Sequence, residues 1–177
     1  MTIRTFSKRY SLFALNGLGR PAFINVLGPM FEDSPWIAEQ TWPKRPFKNS
    51  EALHSALCET VRSSNPEAQL SLIRAHPDLV GRAAMAGTLS PASTSEQASA
   101  GLDRLTAEET ALFQKYNNEY REKFGFPFVI CARLNKKEAI LGGFVLRLNN
   151  SREAEIQTAL EEIFKIARLR LSDVISD

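Results

Sequence analysis

The chain has 177 residues, of which 44% are hydrophobic and 24% charged, ordinary proportions for one globular domain large enough to bury a core and a pocket. Its net charge of +2 gives no field of the kind that draws nucleic acid or an anionic membrane surface. Cys58 and Cys131 are far apart, form no CxxC unit and have no neighbouring cation in sequence, which argues against zinc and for inert core thiols.

The N-terminal stretch Met1 to Arg20 is broken by Asn16 and Gly17 and lacks a secretory h-region. No run approaches the ~20 apolar residues of a membrane span. The closing residues Val-Ile-Ser-Asp carry no peroxisomal Ser-Lys-Leu address, so a reducing cytoplasm is expected.

Helical periods dominate from there on. A short helix is expected over Leu12 to Leu18, and Pro21 opens another through Phe23, Val26 and Leu27. Pro35 starts a short one at Trp36, and the proline-rich stretch Trp42 to Lys48 reads as a loop. Ser50 is suited to cap a helix over Glu51 to Arg62. Asn65-Pro66 reads as a cap and first turn, and Pro77 disfavours the helical conformation at His76, so that helix ends near Ala75.

Gly81 to Pro91 reads as a loop over a cleft. Thr106 and Glu109 form a capping box before a long helix to Lys123. Phe124 to Cys131 is the one strand-like stretch; with Gly and Pro inside it and no pairing partner, it reads as a buried extended segment. Helices over Glu138 to Leu148 and from a Ser151 cap to about Ile175 complete an all-α domain over 1–177 with about seven to eight helices.

Three places depart from core-and-surface logic. In Arg74-Ala-His-Pro-Asp-Leu79 the proline fixes the backbone after His76, which aims an imidazole from a helix end; the plain alternative is a histidine at the negative end of a helix dipole. In Ser93 to Gly101, Ser93 with Glu96 and Thr94 with Gln97 both fit a capping box. That is either a helix start alone, or a helix N-terminus whose N–H groups receive an anionic or carbonyl-rich ligand beside Glu96 and Gln97.

The third place is Arg170. With Ile156, Leu160, Ile163, Ala167, Leu171 and Val174 as the apolar stripe of the last helix, Arg170 falls about 40° from its centre and Arg168 about 120° away. An inward guanidinium needs an anion or good acceptors, supplied either by a ligand or by a structural ion pair, unless the side chain snorkels to solvent. His54, between Leu53 and Ser55 with no proline constraint, reads as surface or structural.

The stretches RAHPDLVGR (Arg74 to Arg82), STSEQASAGLDRL (Ser93 to Leu105), KFGFPFVICAR (Lys123 to Arg133) and KIARLRL (Lys165 to Leu171) together resemble OHCU decarboxylases, the third enzyme of the urate-to-allantoin route. The likeness covers about Leu70 to the C-terminus, with a looser fit before it. It implies an all-α homodimer with no metal or organic cofactor, acting on a ureidoimidazoline. It implies His76 as the central catalytic residue with Pro77 shaping its loop. It further implies that Ser93, Glu96, Gln97 and Arg170 line the site, with the backbone of Phe128, Val129 and Ile130 against the ligand.

Overall fold

The computed structural model describes residues 9–176, so that part of the N-terminal leader reading, residues 1–8, lies outside the described residues. The described chain is all-α, with ten α-helices and a single two-residue ladder. It falls into two compact units. One is formed by the chain up to Asn65 together with that from Ala167 onward, the other by Pro66–Ile166.

In the first unit, strand β1 (Tyr10–Ser11) pairs in parallel with β2 (Ile175–Ser176), Tyr10 opposite Ile175. Helices α1 (Leu12–Asn16), α2 (Arg20–Leu27) and α3 (Trp36–Thr41) follow the expected order, and the Trp42–Lys44 part of the proline-rich stretch winds into a 3₁₀ turn. Helix α4 spans Ser50–Arg62. Its cap is Asn49, whose side chain accepts from the Ala52 N–H at 2.8 Å, so the expected cap Ser50 becomes the first helical residue.

Helix α2 packs on α3 and α3 on α4, burying Phe23, Leu27, Ile37, Leu53, Leu57 and Val61. The Arg45 guanidinium ties this unit together. It donates to the carbonyls of Asn16 at 2.7 Å, Leu18 at 2.8 Å and Trp42 at 2.8 Å, and lies 4.3 Å from the Trp42 ring centroid.

The second unit opens with α5 (Pro66–Ala75), followed by a one-turn helix α6 (Arg82–Met85) inside the expected Gly81 to Pro91 loop. Helix α7 is Pro91–Ser99. Its cap is Ser90, which accepts from the Ser93 N–H at 3.1 Å with Pro91 in the first turn. The helix therefore starts before the two expected capping boxes, and Ser93, Thr94, Glu96 and Gln97 lie within it rather than at its end.

Helix α8 (Ala107–Phe124) has the expected box. Thr106 Oγ1 accepts from the Glu109 N–H at 3.2 Å, and the Glu109 carboxylate accepts from the Thr106 N–H at 2.9 Å. It stops at Gly125, which takes the left-handed conformation (φ 79°) that glycine adopts without steric penalty. Residues 126–131 then run extended with no strand pairing, mostly buried, into a 3₁₀ turn at Ala132–Leu134. Helix α9 is Lys137–Arg147, and α10 is Arg152–Val174, its Ala154 N–H capped by Ser151 Oγ at 3.2 Å. The short helices α1 and α3 stand where they were expected, and the helix that was not expected is the one-turn α6, whose apolar pattern is too short to read in sequence.

The core of this unit is aromatic. Phe128 stacks on Phe144 of α9 at 3.8 Å between centroids and meets Tyr120 of α8 edge-on at 5.2 Å. Each such ring contributes about 1.5–3 kcal/mol by burial, and each favourable ring pair about 0.5–1.5 kcal/mol more.

Beneath the rings lies a buried ionic network. The fully buried Glu155 carboxylate accepts from Arg147 Nε at 2.9 Å, from Asn150 Nδ2 at 2.7 Å and from the Tyr120 hydroxyl. Arg147 Nη1 donates to the Val129 carbonyl at 2.7 Å, and its guanidinium lies 4.3 Å from the Phe128 centroid. Burial, with the bond to Glu155, holds the Tyr120 phenol far above its ordinary range, so it stays protonated as a donor.

Removing one partner of a buried pair strands the other charge. Arg147→Met is expected to lower unfolding free energy by about 3–5 kcal/mol in urea titrations, and Arg147→Met with Glu155→Leu to lose clearly less. Equal losses in the two proteins would show that the pair carries no such coupling.

Candidate active site

His76 follows directly on α5 and is 6% exposed. Its backbone N–H donates to the Ile73 carbonyl at 3.2 Å, and Nδ1 lies 2.9 Å from the Leu72 carbonyl oxygen. A carbonyl only accepts, so the proton sits on Nδ1. In the neutral ring this makes Nε2 the basic nitrogen. The helix-end position expected from Pro77 is therefore real, and the last turn of α5 fixes the tautomer.

The loop after Pro77 is held at every residue. Asp78 Oδ1 and Oδ2 receive Arg121 Nε at 2.8 and 3.0 Å. The Leu79 carbonyl accepts from Asn117 Nδ2 at 2.7 Å. The Val80 N–H donates to Gln97 Oε1 at 3.1 Å, and Gln97 Nε2 donates to the Asp78 carbonyl at 3.4 Å. Val80 itself has φ +54°, a left-handed conformation that costs a β-branched residue about 1–3 kcal/mol.

Ser93, Glu96, Gln97 and Ala100 recur at helical spacing. Ser93, Gln97 and Ala100 are buried and Glu96 is half-buried, so they form one inward face of α7 and its C-cap. This helix face, and not a helix N-terminus, is what groups them. Helix α7 packs on the 3₁₀ turn that ends the extended segment. Burial pushes the Cys131 thiol up, and the nearby carboxylates of Glu162 and Glu96 add to it. Cys131 N–H donates to Glu162 Oε2 at 2.8 Å, and with Arg147 on the Val129 carbonyl this pins the Phe128–Val129–Ile130 backbone on both sides.

All of the expected residues except Arg170 lie in the Pro66–Ile166 unit, and Gln97 is bonded directly to the loop that follows His76 and Pro77. Arg170 belongs to the other unit, on the buried side of α10 and 6% exposed, while Arg168 is exposed, as the helical angles predict. There Arg170 Nη2 donates to Glu32 Oε1 at 2.8 Å and Nη1 to the Pro29 carbonyl at 3.3 Å, so an ion pair within its own unit engages the inward guanidinium. His54 is buried, its Nε2 3.4 Å from Cys58 Sγ, which makes it structural rather than surface and gives Cys58 an imidazole neighbour that the sequence did not reveal.

Sequence reasoning missed Asn117, Tyr120, Arg121, Arg147 and Glu155. Their signal was available only in part: 117, 120, 121 and 124 recur at i, i+3, i+4 and i+7 along α8. Among the described residues no group of three or more His, Cys, Asp or Glu is placed to hold a metal ion, and no helix is long and apolar enough to cross a membrane.

The fold recurs in the crystal structure of (S)-allantoin synthase, at TM-score 0.75 and 26% identity over 93% of this chain and 54% of that chain. The OHCU decarboxylase family model matches residues 16–172, and this chain belongs to that family. Two of its relatives are the 2-oxo-4-hydroxy-4-carboxy-5-ureidoimidazoline decarboxylases of Halalkalicoccus jeotgali, 40% identical over 94% of this chain and 92% of the relative, and of Amia calva, 42% identical over 91% and 92%.

Gln97→Leu leaves the Val80 N–H without its acceptor, at an expected loss of about 1–3 kcal/mol. Hydrogen exchange at the Val80 amide should accelerate more than that of the α8 amides. An unchanged Val80 rate would mean that Gln97 does not hold the loop.

Proposed function

We propose that this chain decarboxylates 2-oxo-4-hydroxy-4-carboxy-5-ureidoimidazoline to (S)-allantoin in urate breakdown. Family membership supplies the reaction. The observation that carries the mechanism is the buried His76 imidazole, whose Nδ1 is tied to the Leu72 carbonyl, which puts the lone pair of the neutral ring on Nε2.

The substrate bears a carboxylate and a hydroxyl on one ring carbon and a C=N bond on the next. When the carbon–carboxylate bond breaks, its electron pair moves into the C=N group and CO2 leaves. The former C=N nitrogen takes a proton, the hydroxyl gives one up as its carbon becomes the product carbonyl, and a proton adds to one face of the neighbouring ureido-bearing carbon. The electron sink is part of the substrate, so the scheme uses neither a metal nor an organic cofactor. The protein must hold the carboxylate out of the ring plane, aligned with the π system, and deliver the proton to one face.

In this reading His76 assists proton movement at the carboxylate-bearing carbon, and Pro77 fixes its approach. Glu96 accepts from ureido or ring N–H groups. Arg170 binds carbonyl oxygens as negative charge spreads into the ring, and Ser93 with the Phe128, Val129 and Ile130 backbone completes the contacts. Gln97 serves the substrate through the amide that also holds the loop. The catalytic domain is the whole of 1–177, acting as a cytoplasmic homodimer without nucleic acid or membrane partners.

His76→Asn and Glu96→Ala are expected to lower kcat about a hundredfold or more in folded protein, and Arg170→Lys about tenfold, since a point charge does not replace a planar fork. The assay generates substrate from urate with the two preceding enzymes and follows optical rotation and CO2. Rapid (S)-allantoin with CO2 supports the proposal. A ring-opened product without CO2, or no acceleration over spontaneous decay to racemic product, contradicts it.

A further inference from the structure

Asn117 is an odd residue for its place. It lies in the middle of α8, where asparagine is a weak helix former, and it is 5% exposed. Its Nδ2 donates to the Leu79 carbonyl at 2.7 Å, while its buried Oδ1 has no hydrogen-bond partner among the described residues. The amide satisfies one buried carbonyl and leaves its own buried oxygen unsatisfied, so the two effects offset and its net contribution to stability is small. What the amide does is hold one carbonyl of the loop that follows His76.

That loop is itself strained. Val80 sits at φ +54°. A β-carbon on Gly81 would come within 2.6 Å of Asp78 Cβ, which records how tightly the turn is wound. Strain of this kind persists only where the surroundings over-determine it. The surroundings are Arg121 on the Asp78 carboxylate, Gln97 on the Val80 N–H and Asn117 on the Leu79 carbonyl. Upstream, His76 is tied to Ile73 and Leu72. Between the two anchored ends stands Pro77, whose ring locks φ, so the loop has no slack to absorb a shift.

We propose that Asn117 is a positioning residue for the reaction: through the Leu79 carbonyl it holds the strained turn that keeps the His76 imidazole aimed at the substrate. The proposal rests on the assignment of His76 as the proton-transfer group. It places Asn117 outside substrate contact, acting on kcat through the geometry of another residue.

The test compares Asn117→Leu, Val80→Gly and the double variant, with His76→Asn alongside, as full-length folded proteins assayed on freshly generated substrate. Asn117→Leu removes the donor and the orphaned acceptor together. Because the buried Leu79 carbonyl loses its donor, Tm should fall by a few degrees; at a temperature where the variant is fully folded, kcat should fall about tenfold or more and KM should change less than about threefold. Val80→Gly in the same protein should restore most of the lost kcat, because glycine takes the left-handed conformation without being held there.

Three outcomes overturn the proposal, two of them on its own account. In one, Asn117→Leu turns over at the unmodified rate while His76→Asn is inactive, which leaves the His76 assignment standing. In the other, kcat falls and Val80→Gly restores none of it. If His76→Asn itself keeps full activity, the assignment fails and the proposal falls with it.

Discussion

One face of helix α8 holds both backbone segments against which the proposed chemistry takes place. Asn117 takes the Leu79 carbonyl, Arg121 the Asp78 carboxylate, and Tyr120 the buried Glu155 that in turn fixes Arg147 on the Val129 carbonyl. Phe124 completes the i, i+3, i+4, i+7 row and packs tilted against Tyr120, with ring centroids 4.6 Å apart. A helix with a capping box at one end and a left-handed glycine at the other is a rigid ruler, and the loop after His76 and the 126–131 segment are both measured from it.

That rigidity suits a reaction whose electron sink belongs to the substrate. The protein adds no redox or covalent chemistry in the proposed scheme. It contributes alignment of a scissile carboxylate and a proton on one face, and both depend steeply on position. The structure spends stability on this: a β-branched residue in the left-handed region, an unsatisfied amide oxygen and a fully buried carboxylate all lie in the unit that carries His76.

Much of this was legible in the chain. Proline after His76, the Thr106 box, the Ser151 cap and the inward angle of Arg170 follow from local rules, and the structure has each of them. Ser93, Glu96 and Gln97 were expected at a helix N-terminus, but Ser90 with Pro91 caps α7 a turn earlier and makes them a helix face instead. The networks were not legible. Tyr120, Arg147 and Glu155 each look like ordinary helix-surface residues, and only tertiary packing brings a phenol, a guanidinium and a carboxylate from three helices beneath Phe128. The Cys58 contact with His54 escaped for a simpler reason: an i, i+4 pair counts only once the helix face is known to be buried.

The most direct measurement of a preorganised site is a pair of crystal structures of this protein, free and with (S)-allantoin. The account predicts the ligand within hydrogen-bond reach of His76 Nε2 and of the 128–130 backbone, with residues 76–81 and 126–131 displaced by less than about 1 Å between the two. A ligand seated away from His76, or a turn at Val80 that forms only when the ligand is present, would contradict it.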